Sequence, residues 1–207
     1  MTKIPPPRSK GRPRGFDRDA ALNQALGIFW RRGYEPTTIA ELCTEMGINP
    51  PSLYAAFGNK AQLFIEAARH YENVYWGEAW HRLEKDSDLR RGMKAFFRDA
   101  AKILTSQEAP SGCMVVLGAA NVSKNAEEIQ DALKELRDEA KQHFLHRLKT
   151  AVTAGDIPSG TDVKSLAATL NTVLEGMSVQ ARDGTSQVEL ERIAHTAMAL
   201  LPTNTAL

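Results

Sequence analysis

The side chains best equipped for chemistry lie between residues 37 and 60, TTIAELCTEMGINPPSLYAAFGNK. They are hydroxyls, an amide, a phenol and an ammonium: Thr37, Thr38, Asn49, Ser52, Tyr54 and Lys60. Such groups hydrogen-bond phosphate oxygens and the edges of bases, which is the chemistry of duplex recognition rather than of bond cleavage. Asn49 and Ser52 can pair with base edges, whereas Pro51 and Ala55 offer only apolar contacts. Tyr54 suits a phosphate or a thymine methyl. Direct readout by this set is thin, so phosphates must supply much of the affinity. Thr37 and Thr38 at one helix start, Lys60 at another, and a basic arm carrying Arg12 and Arg14 are the expected contacts.

Other chemistries find little support. The chain has no phosphate-cradling glycine loop, no nucleophile elbow and no His-Glu-x-x-His pair. Histidines stand at 70, 81, 143, 146 and 195. His143 and His146 share a helical face, and either could hold a polar group of a small ligand, yet no obvious acids or histidines complete a metal site. The expectation is a non-enzyme with neither metal nor cofactor. Cys43 fits as a small residue at a close helix crossing. Cys113 follows Gly112 at an expected helix start, where the dipole would lower a thiol pKa. Two readings of Cys113 stay open, a sensor of oxidants or electrophiles and a small buried residue.

The elements that position these groups are helical throughout, with no convincing strand alternation. A first helix is expected from Asp17 to Arg32, with the stripe Leu22, Ala25, Leu26 and Phe29 and a stop at Gly33. Thr38 and Glu41 have capping-box spacing for a second, which ends at Gly47. Asn49 caps a third, with Pro50 in the first turn and an end near Phe57. Two short helices joined by a glycine that tolerates positive φ make a helix-turn-helix. Ile39, Leu42, Met46, Ile48, Leu53 and Phe57 lock the pair onto the first helix. Asn59 caps a long fourth helix to about Glu84, whose Tyr71, Glu72, Tyr75 and Glu78 read as an exposed or interface face. Later stripes begin at Leu89, Ile129, Asp162 and Leu190, and the apolar stretch from Cys113 to Val122 reads as buried. Trp76, Trp80, Phe96, Phe97, Cys113, Met114, Phe144 and Met177 form the candidate lining of an apolar effector pocket, although plain core accounts for each aromatic alone.

Charge is unevenly spread. Residues 1–60 hold nine Lys and Arg against five Asp and Glu, a net of +4 that leaves −3 for the rest of a chain totalling +1. Residues 1–14 hold five of those cations and no acid. A basic N-terminal third on a mildly acidic body suits a DNA-binding head. Two cysteines imply no disulfide framework and fit a reducing cytoplasm. The longest apolar run falls far short of the roughly 20 residues that span a bilayer, so no membrane is expected.

Residues 16–63 closely resemble the DNA-binding head of the tetracycline-repressor (TetR) family. The resemblance is carried by Ala25, Phe29, Gly33, Tyr34, Thr37, Thr38, Ile39 and Leu42, and by G-I-x-x-x-S-L-Y-x-x-F-x-x-K-x-x-L from Gly47 to Leu63. Two later stretches, S-G-C-M-V-V at 111–116 and E-G-M-S-V-Q-A-R-D-G at 175–184, resemble one branch of that family. The resemblance implies an all-α protein with a three-helix head, here residues 1–60, and a helical ligand-binding and dimerisation body, residues 61–207. It also implies a homodimer on double-stranded operator DNA, with repression relieved by a small-molecule effector. A thiol-based regulator using Cys113 is the alternative on the same fold. Pro50 and Pro51 stand where many relatives are more polar, so base preferences do not carry over.

Each phosphate contact contributes about −0.9 to the log–log salt slope of binding to duplex DNA. Truncation of residues 1–14 is expected to flatten that slope by up to about 4.5 if all five cations engage. A slope unchanged in a salt series would remove the arm from the interface.

Overall fold

The computed structural model describes residues 15–119, 122–123 and 126–203, so Arg12 and Arg14 lie outside the described residues. Among these residues the chain is entirely helical. In order the helices are α1 (Arg18–Arg32), α2 (Ile39–Met46), α3 (Pro50–Phe57), α4 (Lys60–Tyr71), α5 (Gly77–Lys85), α6 (Leu89–Leu104), α7 (Met114–Ala119), α8 (Glu127–Ala154), α9 (Val163–Arg182) and α10 (Gln187–Ala197).

Local capping chemistry fixes where the head helices begin. Asp17 accepts from the amides of Asp19 and Ala20, Asn49 from that of Ser52, and Asn59 from that of Gln62. Thr38 and Glu41 form a reciprocal capping box at the start of α2. Each cap satisfies amides that have no partner within the helix. Gly47 ends α2 with φ 62° and ψ 29°, the left-handed conformation that lets α3 leave at a steep angle. Leu42, Leu53 and Phe57 then turn inward onto α1 and α4 and are buried.

The long fourth helix expected from the sequence is present but not regular. Between α4 and α5 runs a five-residue π-helical turn, Glu72–Trp76. It inserts a residue into the helical period, so the buried face passes from Tyr71 directly to Trp76, Ala79, Trp80 and Leu83. An uninterrupted α-helix would have returned inward near residues 74 and 78, yet Val74 is 57% exposed and Glu78 is exposed. The expectation that Tyr71, Glu72, Tyr75 and Glu78 form an exposed or interface face is corrected, since Tyr71 continues the buried stripe of α4. Tyr71 is fully buried, Glu72 and Tyr75 are half-buried, and only Glu78 remains outside.

Head and body share one apolar cluster rather than meeting through a linker. The division expected between residues 60 and 61 falls within the first turn of α4, and the cluster runs through it. Phe29 of α1 packs edge-on against Phe64 of α4 at 5.0 Å between ring centroids. Trp30 stands edge-on to Tyr71 at 4.6 Å and to Tyr75 at 5.1 Å. Its indole N–H donates to the Gly112 carbonyl, 3.2 Å away in the loop before α7. Gly112 has φ 83°, and a Cβ there would fall 2.5 Å from Leu117 Cδ1 and 2.8 Å from the Ser178 carbonyl oxygen. That close approach lets the loop dock on α9, where the Cys113 amide donates to Ser178 Oγ at 2.7 Å. A polar tie accompanies the apolar one: Ser123 donates to Glu35 Oε1 from its amide (3.1 Å) and its hydroxyl (2.6 Å).

Candidate nucleic-acid interface and body cavity

The face of α3 turned away from the core carries Pro51, Ser52, Tyr54 and Ala55. Pro51, Tyr54 and Ala55 are exposed and Ser52 is half-buried, while Leu53 and Phe57 behind them are sealed. At 50% exposure Tyr54 is the largest apolar surface on this helix. Arg18 holds the far end of α3. Its guanidinium makes a bidentate pair with Glu66 of α4 (2.5 and 2.7 Å), reaches the Ala56 carbonyl at 3.3 Å, and lies 4.5 Å from the Phe57 ring centroid. A short helix that could not persist alone is thus clamped from two sides.

The other expected DNA contacts are already partly committed. The Asn49 carbonyl oxygen caps α3 at 2.9 Å from the Ser52 amide, which leaves its NH2 group as the donor for a base. The exposed Thr38 hydroxyl is bonded to Glu41. Thr37 is 1% exposed, and its hydroxyl donates to the Gly33 carbonyl at 2.7 Å. The side-chain phosphate contact expected of Thr37 is therefore corrected: this residue shapes the turn between α1 and α2. Lys60 is similarly drawn inward. Its ammonium donates to the carbonyls of Tyr34 (3.0 Å) and Thr37 (2.9 Å) and sits 4.2 Å from the Tyr34 ring centroid. In this conformation Lys60 braces the head through neutral carbonyls, which leave its charge in place.

No Lys or Arg occurs from residue 33 to residue 59. At the end of α1, Arg32 is paired with Glu41. The described head therefore offers a phosphate backbone little beyond the exposed Arg31 and the half-buried Lys60, and the arm of residues 1–14 holds five of the nine cations among residues 1–60.

In the body the expected pocket residues separate into groups. Trp76, Trp80 and Cys113 line one narrow cavity of about 30 Å3 between the π-turn, α7, α8 and α9. Phe96, Phe97 and Phe144 do not line it. They are stacked into a solid aromatic core, with Phe96 4.1 Å from Trp80 and Phe97 5.8 Å from Phe144 between centroids. Met177 is core as well. Met114 borders a different cleft, about 190 Å3, between α1 and α7. His143 stacks on the Trp80 ring and bonds Glu84 at 2.7 Å.

The sequence reading missed the cavity's polar lining: Glu72, Arg137, Asn171 and Glu175. Desolvation pushes the Glu72 carboxyl up to about 8, and the Glu139 carboxylate adds to the push. Asn171 donates to Glu175 at 3.0 Å, while its own Oδ1 is buried with no partner. The Cys113 expectation of a lowered thiol pKa is overturned. Burial pushes the thiol up to about 12, the neighbouring Glu72 carboxyl acts in the same direction, and two amides of α7 offset only part of it. A buried thiol of that basicity forms little thiolate at neutral pH, so the chemical lever of the redox reading is absent. Cys43 is buried as expected, and burial raises its thiol too.

Comparison with known proteins places both halves. Residues 21–67 match the description "Bacterial regulatory proteins, tetR family", and residues 89–197 match "Tetracyclin repressor-like, C-terminal domain". The HTH-type transcriptional repressor ComR of Escherichia coli K12 is 34% identical over 201 residues, covering 94% of this chain and 93% of ComR. The repressor BdcR from the same strain is 30% identical, covering 92% and 90%. Among solved structures, a cysteine-substituted mutant of the TetR-family regulator CifR, complexed with a 26-base-pair operator duplex, superposes with a TM-score of 0.88. It is 40% identical, and the alignment covers 93% of this chain and 100% of that one.

The two faces of α3 make opposite predictions. Leu53→Ala is expected to destabilise the protein by about 2–5 kcal/mol in urea unfolding, because it opens a cavity behind the helix. Tyr54→Ala is expected to leave stability within about 0.5 kcal/mol while weakening DNA binding in a gel shift. The reverse pattern would mean that α3 presents the wrong face.

Proposed function

We propose, from the premise that this chain belongs to the TetR family of bacterial regulatory proteins, that it is a transcriptional repressor which grips a near-palindromic operator as a homodimer and releases it when a small molecule enters its body. The observation that carries this reading is the α3 face, outward and rigidly backed, at one end of a core that continues into the effector cavity. Residues 1–60 act as the head and residues 61–207 as the body, with α4 belonging mechanically to both. The protein works in the cytoplasm, where the chromosome lies, and acts by binding rather than catalysis.

Dimerisation is supported by α9 and α10. Val179 on the first and Val188 and Ile193 on the second are 42–58% exposed, an apolar face that a monomer leaves in water. A second copy applied there sets two heads side by side. Two recognition helices one DNA turn apart, about 34–36 Å, then read two half-sites.

Release follows from the junction at Trp30. The cavity wall includes Cys113, next to the Gly112 carbonyl that accepts from Trp30 of α1. The Tyr71 hydroxyl touches the Cys113 thiol and accepts from Trp76 at 2.9 Å. A ligand that enlarges so small a cavity must displace the π-turn, and with it α4 and α1. An effector that prefers the displaced arrangement weakens operator binding by its differential affinity, typically about 1–3 kcal/mol.

The reading is tested by footprinting the pure protein on the DNA upstream of its own gene. Two protected half-sites one turn apart, occupied by two protomers, are expected. If no duplex of any sequence is retained at low salt, the reading fails.

A further inference from the structure

We infer that the cavity between the π-turn and α7–α9 is built for a small organic cation, a protonated amine on an apolar body. The inference rests on the effector role proposed above and names the chemistry of the ligand.

The polar groups that line the cavity are unbalanced. Glu175 and the Oδ1 of Asn171 are acceptors and Glu72 becomes one when it ionises, whereas Arg137 is the single cationic donor among the described lining residues. Asn171 is 8% exposed and its Oδ1 has no hydrogen-bond partner, which costs free energy until a donor arrives. No hydrogen bond or ion pair engages the Glu72 carboxyl among the described residues. Arg137 reaches the Val115 carbonyl at 3.5 Å and pairs with neither carboxyl. Trp76 and Trp80 complete the wall; His143 and Phe96 already pack on the Trp80 ring, so Trp76 is the indole left to attract a cation within about 6 Å. Leu104, Val115, Val116, Leu136, Ala140 and Leu174 form the rest of the wall, so a ligand that opens this cavity of about 30 Å3 meets apolar surface around its remainder. A carboxylate ligand would meet Arg137 but could make no ion pair with Glu72 or Glu175, and it would hold Glu72 in its protonated form. A neutral alcohol would satisfy Asn171 but gain nothing from Glu72 beyond a hydrogen bond.

Glu72 opens the π-turn one helical turn after the buried Ala68, and the inserted residue carries Trp76 and Trp80 onto the same wall. The Glu72 carboxyl faces Arg137 and Glu139 of α8, Glu175 of α9, Cys113 before α7 and Tyr71 of its own helix, while α6 contributes only Leu104. Held up near pH 8 by desolvation, that carboxyl is uncharged at neutral pH. An arriving ammonium restores the charged form and expels one proton. Cation affinity must therefore rise with pH up to about 8 and level off above it.

Three matched probes decide the matter: n-hexylamine, n-hexanol and hexanoate, titrated into the full-length protein by tryptophan fluorescence from pH 6.5 to 8.5, with operator release followed separately by anisotropy. Hexylammonium is expected to bind at least tenfold more tightly than the other two, and roughly tenfold more tightly at pH 8 than at pH 6.5. Glu72→Gln, close in volume, should abolish the pH dependence and most of the preference. Preference for hexanol or hexanoate, no hexylammonium binding at millimolar concentration, or an unaltered pH profile in Glu72→Gln would overturn the inference. Tight hexylammonium binding that leaves the operator bound would uphold the ligand class and overturn the effector role. Release by hexanoate instead would uphold the role and overturn the class.

Discussion

Everything in this molecule depends on the packing of α1 against α4. Phe29 on Phe64, and Trp30 on Tyr71 and Tyr75, join the DNA-reading head to the sensing body without a flexible connection. Close-packed interiors transmit displacement rather than absorb it. A hinge at this point would leave two functional halves with no means of influencing each other. The Trp30 bond to Gly112 makes the link more specific, because it attaches α1 to the loop that walls the cavity.

The head illustrates a conflict between building a helix-turn-helix and using it. Short helices need caps, and Thr38 and Asn49 spend hydroxyl and amide oxygens on their own helices. Thr37 and Lys60 spend a hydroxyl and an ammonium as donors to the turn after α1. What remains outward on α3 is mostly apolar; Tyr54, Ser52 and the Asn49 NH2 group are the polar groups left for the recognition proposed above. With no cation between residues 33 and 59, the attraction to phosphates falls to flanking segments. Specificity and affinity are thereby carried by different parts of the chain, a common division at protein–DNA interfaces.

How much could be read in advance follows from how local each signal is. The caps at Asp17, Thr38, Asn49 and Asn59 and the turn at Gly47 are written within four residues, and all stand where the sequence places them. The order of helices was equally legible, since each carries its own stripe. The π-turn was not, although its trace exists as a five-residue gap between Tyr71 and Trp76 in the buried face. A regular period assumed across that gap brings Glu78 inward and leaves Trp76 outside, the reverse of what is found. The cavity lining drew on α8 and α9, 65 and more residues further along, where Arg137, Asn171 and Glu175 read as ordinary polar positions on amphipathic helices. Aromatic residues misled in the opposite direction: Phe96 and Phe144 are large enough to line a pocket and instead fill the core, while Phe97, packed in the same core, borders a separate cleft of about 430 Å3 between α6 and α10.

The central claim is that the state of the body cavity sets the position of the heads. Its most direct test leaves the ligand out. Ala140 lines the cavity on α8, and Ala140→Leu occupies part of the space an effector would take. With helical content unchanged by circular dichroism, operator affinity is predicted to fall at least fivefold, the lower end of ordinary allosteric coupling. An operator affinity equal to that of the unaltered protein would show that the cavity and the DNA-binding heads are independent.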